Sequence, residues 1–170
     1  MTSKHKKIVA GRTAASMQIG YLADHQQFIP TLARWYHQEW AYLRPGDSVE
    51  ARIGRFRDAC GHKEIPTVVI AFTDFTLLGS AMMVAHDMDT RMDLSPWLAG
   101  VFVSPEHREH GIGAALVQRV ADDARALGVH RLYLYTPNTE QFYSRLGWSV
   151  VEHTGYRGVD VVVMSYDLMA

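Results

Sequence analysis

The sequence predicts a mixed α/β fold, α+β-like in its arrangement, with one central mixed sheet and helices on both faces. A β-branched run at Thr67–Phe72 and a second apolar run at 76–84 are separated by a short polar break, which is typical of a β-hairpin. Apolar positions between 111 and 127 recur at helical spacing, and an apolar strand lies on either side of them. Strand, helix and strand in this order form a βαβ unit whose two strands are parallel neighbours.

The remaining elements follow from local signals along the chain. Pro30 can begin a helix with apolar residues on one face, and Ser48 can cap a second helix. The run 97–103 is almost continuously apolar, which predicts a strand buried on both faces. Gly128 closes the long helix. The other predicted elements are a strand at 18–22, a strand at 131–135, a helix at 139–146 and closing strands at 148–151 and 159–164.

Length and composition predict one domain of ordinary globular character. The chain has 170 residues, of which 48% are hydrophobic and 21% charged, and these values exclude global disorder. Its basic start and the small, polar segment 11–16 show no periodicity, so we expect residues 1–18 to form a flexible leader. We expect residues 19–170 to form the single domain.

Charge and cysteine content exclude several classes of partner and location. Lys and Arg number 17 against 18 Asp and Glu, so no basic excess supports binding to nucleic acid. No apolar run reaches the roughly 18 residues needed to span a membrane. Cys60 is the only cysteine and cannot form an internal disulfide, which favours a reducing compartment. The sequence therefore predicts a cytoplasmic protein with no nucleic-acid or membrane partner.

The segment 108–114 carries the strongest chemical signal, because it joins a predicted buried strand to the long helix. The first N–H groups of a helix have no partners within it, and the positive end of the dipole lies there, which suits a phosphate or diphosphate. Gly111 and Gly113 allow a ligand close to the backbone, and Arg108 adds a cation. Neither a P-loop nor the three-glycine dinucleotide fingerprint is complete, and two glycines at a helix start also occur as plain structure.

Two signatures make the chain resemble the GCN5-related N-acetyltransferases, the GNAT family. Arg108-Glu-His-Gly-Ile-Gly113 matches the family's Arg/Gln-x-x-Gly-x-Gly/Ala signature, and Val101–Pro105 resembles its central strand and the exit from it. Phe142-Tyr-Ser-Arg-Leu-Gly-Trp148 resembles its second signature. The resemblance implies a GNAT-type sheet and transfer of acetyl from acetyl-CoA, the co-substrate, to a primary amine by direct attack in a ternary complex.

The resemblance also implies which residues serve this reaction. The pantetheine arm would pair with the central strand at Val101 and Val103, and an N–H near Val101 or Phe102 would face the thioester oxygen. Tyr143 would be the general acid that protonates the thiolate. Asn138 would contact the cofactor, although it lies closer to Tyr143 than is usual in the family. The implied cofactor-binding set is Val101, Phe102, Val103, Arg108, Glu109, His110, Gly111, Ile112, Gly113, Ala114, Asn138 and Tyr143.

The sequence leaves the general base open. Many relatives carry a glutamate on the central strand, whereas Trp97–Gly100 offers no carboxylate. His86, Asp87, Asp89 and Asp93 are the nearest candidates in sequence, with His86, Asp93 or an ordered water as the alternatives. No second His or Cys lies at ligand spacing nearby, so no metal is predicted.

The acceptor, a small-molecule or peptide amine, is equally open among polyamines, amino acids, antibiotics, peptide N-termini and lysine side chains. In the family that the chain resembles, the first helices and their connecting loop border the acceptor site, which makes residues 42–47, and also Trp97, candidate acceptor contacts. A non-catalytic acyl-CoA sensor on the same fold is the alternative function, since fold does not fix function. A third alternative is an interaction module that forms a homodimer through Val159–Met164, and such a homodimer is compatible with an enzyme.

Overall fold

The computed structural model describes residues 16–169 and contains a seven-stranded mixed sheet with four α-helices. Most of the predicted leader lies outside the described residues, and its last residue, Gln18, begins the first strand. The strands are β1 (Gln18–Tyr21), β2 (Thr67–Phe72), β3 (Leu77–Val84), β4 (Trp97–Val103), β5 (Arg131–Thr136), β6 (Ser149–Tyr156) and β7 (Val159–Asp167). The helices are α1 (Ile29–Trp40), α2 (Val49–Asp58), α3 (Ile112–Ala126) and α4 (Glu140–Arg145).

The strand order is β1-β2-β3-β4-β5-β7-β6, and only the β4–β5 pair is parallel. This confirms the predicted hairpin and the predicted βαβ unit. The strand proposed as a dimer interface is internal, since β7 pairs with β5 on one side and β6 on the other. Its Val161, Val163 and Met164 are buried in the core of this chain. Dimerisation through that strand was therefore a wrong prediction.

Helices α1 and α2 pack on one face of the sheet. Leu32 and Ala33 of α1 and Phe56 of α2 are buried against Val68 and Ile70 of β2. Helix α2 begins where predicted because the Ser48 hydroxyl accepts a hydrogen bond from the Ala51 N–H at 3.0 Å, a typical N-cap.

Helix α3 packs on the opposite face, where Leu116 and Val120 are buried against Val69 and Ala81. The buried Asp123 accepts a hydrogen bond from the Tyr21 hydroxyl at 2.8 Å, which ties the edge strand β1 to this helix. The sheet is therefore covered on both faces, as the sequence predicts. Within residues 16–169, no helix combines the length and the hydropathy needed to cross a bilayer.

Candidate active site

A cavity of about 540 Å³ opens between the helices of one face and the carboxyl half of β4. Its walls come from α1, α2, the segment after β3, β4, the end of β5 and α4. Arg157 closes one side by donating hydrogen bonds to the Leu43 carbonyl at 2.7 Å and to Asp89 at 3.0 Å. Residues that are far apart in the sequence thus enclose a pocket of the size that binds small molecules.

Strands β4 and β5 separate beside this cavity. Their one registered pair is Trp97 with Tyr133, at the start of β4, and no ladder pair follows it. From Ala99 onward β4 is only half-buried, so the prediction of burial on both faces was wrong for this part of the strand. The separation leaves the β4 backbone near Val101 and Val103 without a neighbouring strand on this side, and the Val103 carbonyl accepts a hydrogen bond from the Arg108 side chain instead. A gap of this kind can take an extended ligand as an added strand.

A β-bulge lies at the point of separation. Ser80 pairs with Phe102 and Met82 with Ala99, so Gly100 and Val101 together oppose one residue of β3. Gly100 has a φ of 57°, in the left-handed region that favours glycine. The bulge changes the direction of the β4 backbone at Gly100 and Val101, where the gap and the cavity meet.

Tyr36 of α1 holds this bulge in place. Its hydroxyl donates to the Gly100 carbonyl and lies 2.6 Å from the Ser80 hydroxyl, which itself donates to the same carbonyl at 3.1 Å. Burial raises the pKa of Tyr36 well above its usual value, so its hydroxyl stays protonated and remains a donor. Helical spacing alone makes Tyr36 one residue of the predicted apolar face of α1, and its polar role depends on a contact with a residue 64 positions away.

The glycine segment before α3 exposes free backbone donors. Helix α3 has no side-chain cap and no acidic residue in its first turn, while the Ala115 N–H is the first that bonds back, to Gly111. Glu109 and Gly111 both have a positive φ, of 65° and 78°. Such left-handed residues in a turn direct successive N–H groups into a concave surface, as in the backbone nests that bind anions. Arg108 turns back, donating to the Val103 carbonyl at 2.9 Å and lying over the Phe102 ring.

The other predicted members of this segment surround the helix start. His110 is exposed, and its Nδ1 lies 2.6 Å from the Arg108 carbonyl. Ile112 is buried beneath the turn, whereas Gly113 and Ala114 are half-buried at its surface. A Cβ atom at Gly113 would lie 3.4 Å from the Phe142 ring, so this helix turn is close to the second signature.

Tyr143 and Asn138 both line the cavity, beyond the separation of β4 and β5. Tyr143 is 7% exposed, and burial raises its pKa above the usual value for a phenol. The exposed Asn138 lies in a turn that Thr136 organises, since the Thr136 hydroxyl accepts from the Asn138 N–H at 3.3 Å. Trp97 was wrongly predicted as a ligand contact: it is fully buried, and its indole N–H donates to the Leu94 carbonyl.

The four candidate bases differ in their exposure, their ion pairs and whether they line the cavity. Asp93 is exposed, pairs with Arg91 and does not line the cavity. Asp89 lines the cavity but pairs with Arg157, and His86 lies at its exposed edge. Asp87 lines the cavity with no ion pair or hydrogen bond to any residue in 16–169, and burial raises its pKa to about 6 although Arg44 and Arg157 oppose the shift.

The sequence of this chain matches one known protein family over most of its length. The family model described as Acetyltransferase (GNAT) family matches residues 29–148, most of the chain. The chain belongs to the GNAT acetyltransferase family. The match extends from α1 to the end of the second signature and includes both separated strands. No curated protein sequence is significantly similar to this GNAT chain.

Solved structures show the same fold at low sequence identity. This GNAT protein is similar to yncA of Salmonella typhimurium, solved with its cofactor acetyl-CoA, with a TM-score of 0.67, 19% identity and coverage of 89% and 94% of the two chains. A GCN5-related N-acetyltransferase from Kribbella flavida gives a TM-score of 0.69 with 20% identity, covering 89% and 97%. An aminoglycoside 6'-N-acetyltransferase complexed with coenzyme A gives 0.70 with 16% identity, covering 90% and 98%.

Replacing Asp87 tests whether its half-buried, unpaired charge destabilises the folded protein. Its pKa in the unfolded chain is near 4, whereas in the folded protein it is about 6, so ionisation destabilises the fold above pH 6 and has no effect below about pH 4. We expect Asp87→Asn to raise the free energy of unfolding by about 1–3 kcal/mol near pH 7.5 and to change it little near pH 4. Urea denaturation at both pH values measures this, with Asp74→Asn on the exposed β2–β3 turn as control. A less stable Asp87→Asn protein near pH 7.5 would contradict it.

Proposed function

We propose that this GNAT protein transfers the acetyl group of acetyl-CoA to a primary amine that attacks it directly while both substrates are bound. The observation that carries the proposal is the gap between β4 and β5, which joins the donor-rich start of α3 to the cavity containing Asp87 and Tyr143. Acetyl-CoA supplies the acetyl group as an activated thioester. Family membership and the cofactor-bound GNAT structures of the same fold support this co-substrate.

The segment 108–114 would hold the diphosphate of the cofactor. Backbone N–H groups from Glu109 to Ala114 supply fixed donors, and the positive end of the α3 dipole favours the negative charge. The backbone of Val101 and Val103 would pair with the pantetheine arm along the open side of β4, with Asn138 on the facing wall.

The bulge would polarise the thioester. A backbone N–H at Val101 or Phe102 would donate to the thioester oxygen, where negative charge grows during attack. Because Tyr36 and Ser80 fix the Gly100 carbonyl, this donor is oriented before substrate arrives. Such preorganised donors stabilise the transition state more than the ground state.

Asp87 and Tyr143 would carry out the two proton transfers of the reaction, one from the acceptor amine and one to the thiolate. With a pKa near 6, Asp87 is mostly ionised at neutral pH and can attract the acceptor ammonium and take up a proton from it. Tyr143 is protonated when the thiolate leaves because burial raises its pKa, and its hydroxyl would donate first a hydrogen bond and then the proton to the departing thiolate. The acid and the base thus stand on different walls of one cavity.

The activity itself is tested by a panel of amines with acetyl-CoA, in which free CoA is measured over time. Release that depends on both enzyme and amine supports the proposal. Tight acetyl-CoA binding with no amine-dependent release across polyamines, amino acids, aminoglycosides and peptides would instead identify an acyl-CoA sensor.

The diphosphate site is tested by a matched pair of substitutions at the two ends of α3. Gly111 and Gly128 both have φ near 80°, and neither has a neighbour within 4 Å of an added Cβ atom. Glutamate is therefore similarly strained at both positions, but only at Gly111 does it repel the diphosphate. We expect Gly111→Glu to weaken CoA binding at least about tenfold, and Gly128→Glu to leave it unchanged, by isothermal titration calorimetry. Equal CoA affinities of the two variants would place the diphosphate elsewhere.

The role of Tyr143 is tested by removing its hydroxyl alone. Tyr143→Phe should lower kcat by about 10²–10⁴-fold while changing acetyl-CoA affinity little, because the proton is needed only as the thiolate leaves. Tyr166→Phe is the control, since Tyr166 stacks on the same Trp148 but does not line the cavity. The measurements are steady-state turnover and a thermal melt of each variant. A folded Tyr143→Phe enzyme with full kcat, under conditions where chemistry limits turnover, would exclude the acid role.

A further inference from the structure

The cavity contains a buried cation that the proposed chemistry does not use. Arg52 of α2 lines the cavity and is only 8% exposed. Its Nε lies 2.9 Å from Asp47 Oδ2, yet the N–H is not directed at that oxygen and makes no hydrogen bond within residues 16–169. Burial and two neighbouring arginines lower the pKa of Arg52. A buried guanidinium with unused donors is costly unless a ligand satisfies it.

The charges around Arg52 leave a positive excess on this wall. Asp47 is the one carboxylate that pairs with it, and the same Oδ2 accepts a hydrogen bond from Arg55 at 2.7 Å. Arg44 lines the cavity as well and acts electrostatically on both Arg52 and Asp87. Arg52 and Arg55 therefore share one carboxylate, and Arg44 adds a further positive charge nearby, which favours an anion in the adjacent space.

An unpaired negative charge stands on another wall of the same cavity. Asp87 and Arg52 form no ion pair with each other, yet both act on the buried Tyr36 hydroxyl with opposite sign. Both charges thus lie within electrostatic range of Tyr36, and they are separated by more than a direct contact. A ligand that carries one positive and one negative group would complement both poles at once.

We propose that the acceptor is a small zwitterionic amine, such as a free amino acid, whose carboxylate binds Arg52 and Arg44 while its amine binds Asp87. The proposal rests on the proposed acetyltransferase function and narrows its acceptor class. The planar guanidinium of Arg52 can donate two parallel hydrogen bonds to a carboxylate, which positions the amine on the opposite side for attack.

The volume and the remaining walls fit this class. The cavity of about 540 Å³, which the acceptor would share with the acetyl end of the cofactor, is of a size that suits a small molecule. The apolar lining supplies aromatic rings and thioethers that suit an apolar side chain on the amino acid, from Trp40, Tyr42, Met82, Met92, Tyr135 and Tyr156. A peptide N-terminus offers the same amine but has an amide in place of the adjacent carboxylate.

The first experiment compares matched acceptors on the wild-type protein. Phenylalanine, phenylalaninamide and phenethylamine share one ring and one amine but differ in the carboxylate, and leucine with leucinamide repeats the comparison. We expect kcat/KM for the acid to exceed that for the amide by roughly 10- to 100-fold, as for a charged hydrogen bond. A series of ω-amino acids of increasing length then measures the spacing between the two charges. If the amide or the plain amine has a kcat/KM as high as that of every acid, the proposal is wrong, but the acetyltransferase function is unaffected.

The second experiment assigns the carboxylate to Arg52. Arg52→Gln should abolish the preference for the acid while leaving kcat/KM for the amide little changed, and Arg52→Lys should retain part of the preference. Arg57→Gln is the control, since Arg57 is exposed on the same helix and does not line the cavity. Equal losses for acid and amide in a folded Arg52→Gln protein would contradict the assignment.

A binding readout keeps the proposal testable without turnover. N-acetylphenylalanine should raise the melting temperature of the CoA-loaded wild-type protein more than its amide does. If neither turnover nor stabilisation depends on the carboxylate, the proposal is wrong. If CoA itself does not bind, it is the proposed function that fails.

Discussion

The hydroxyl of Tyr36 and the Gly100 carbonyl form the contact on which the geometry of the site depends. The contact joins α1 to β4 through a buried network that includes Ser80 of β3. A Cβ atom at Gly100 would lie 2.8 Å from the Tyr36 ring, so glycine is required by both its conformation and its neighbour. The bulge they fix lies where β4 leaves β5, and the gap and the cavity meet there.

The same region holds two charged side chains, one buried and one half-buried, that lack a full set of partners within residues 16–169. Asp87 has no ion pair or hydrogen bond within residues 16–169, and burial raises its pKa to about 6. Arg52 lies beside Asp47, but its Nε–H makes no hydrogen bond within the same residues. Groups of this kind destabilise a fold and are retained where substrate satisfies them. The two charged side chains and the bulge all line one cavity, and we propose that substrate supplies the missing partners there.

The sequence predicted the parts of this site that depend on local pattern. The glycines and the helical period around 111–127 predicted the donor-rich start of α3, because its free N–H groups follow from helix geometry alone. The order of elements and the parallel β4–β5 pair followed from connection rules. The family resemblance added Tyr143 and the strand contacts, and it correctly anticipated the family that the comparison shows.

What the sequence missed depends on contacts between distant segments. Burial of β4 was overestimated because an apolar run does not reveal that its neighbour diverges, and Trp97 turned out to belong to the core. Arg52 gave no signal, since an arginine among several on a helix resembles a solvated face until its burial is known. Asp87 could not be separated from Asp89 and Asp93 before the ion pairs of the latter two were visible.

A crystal structure of the protein with acetyl-CoA tests the central role of the bulge most directly. We expect the thioester oxygen within about 3 Å of a backbone N–H at Val101 or Phe102, with the pantetheine arm hydrogen-bonded to the open side of β4. We also expect the Tyr36 hydroxyl to contact the Gly100 carbonyl in the complex, as it does here. A thioester bound away from β4, or a bulge rearranged so that this contact is broken, would contradict the account.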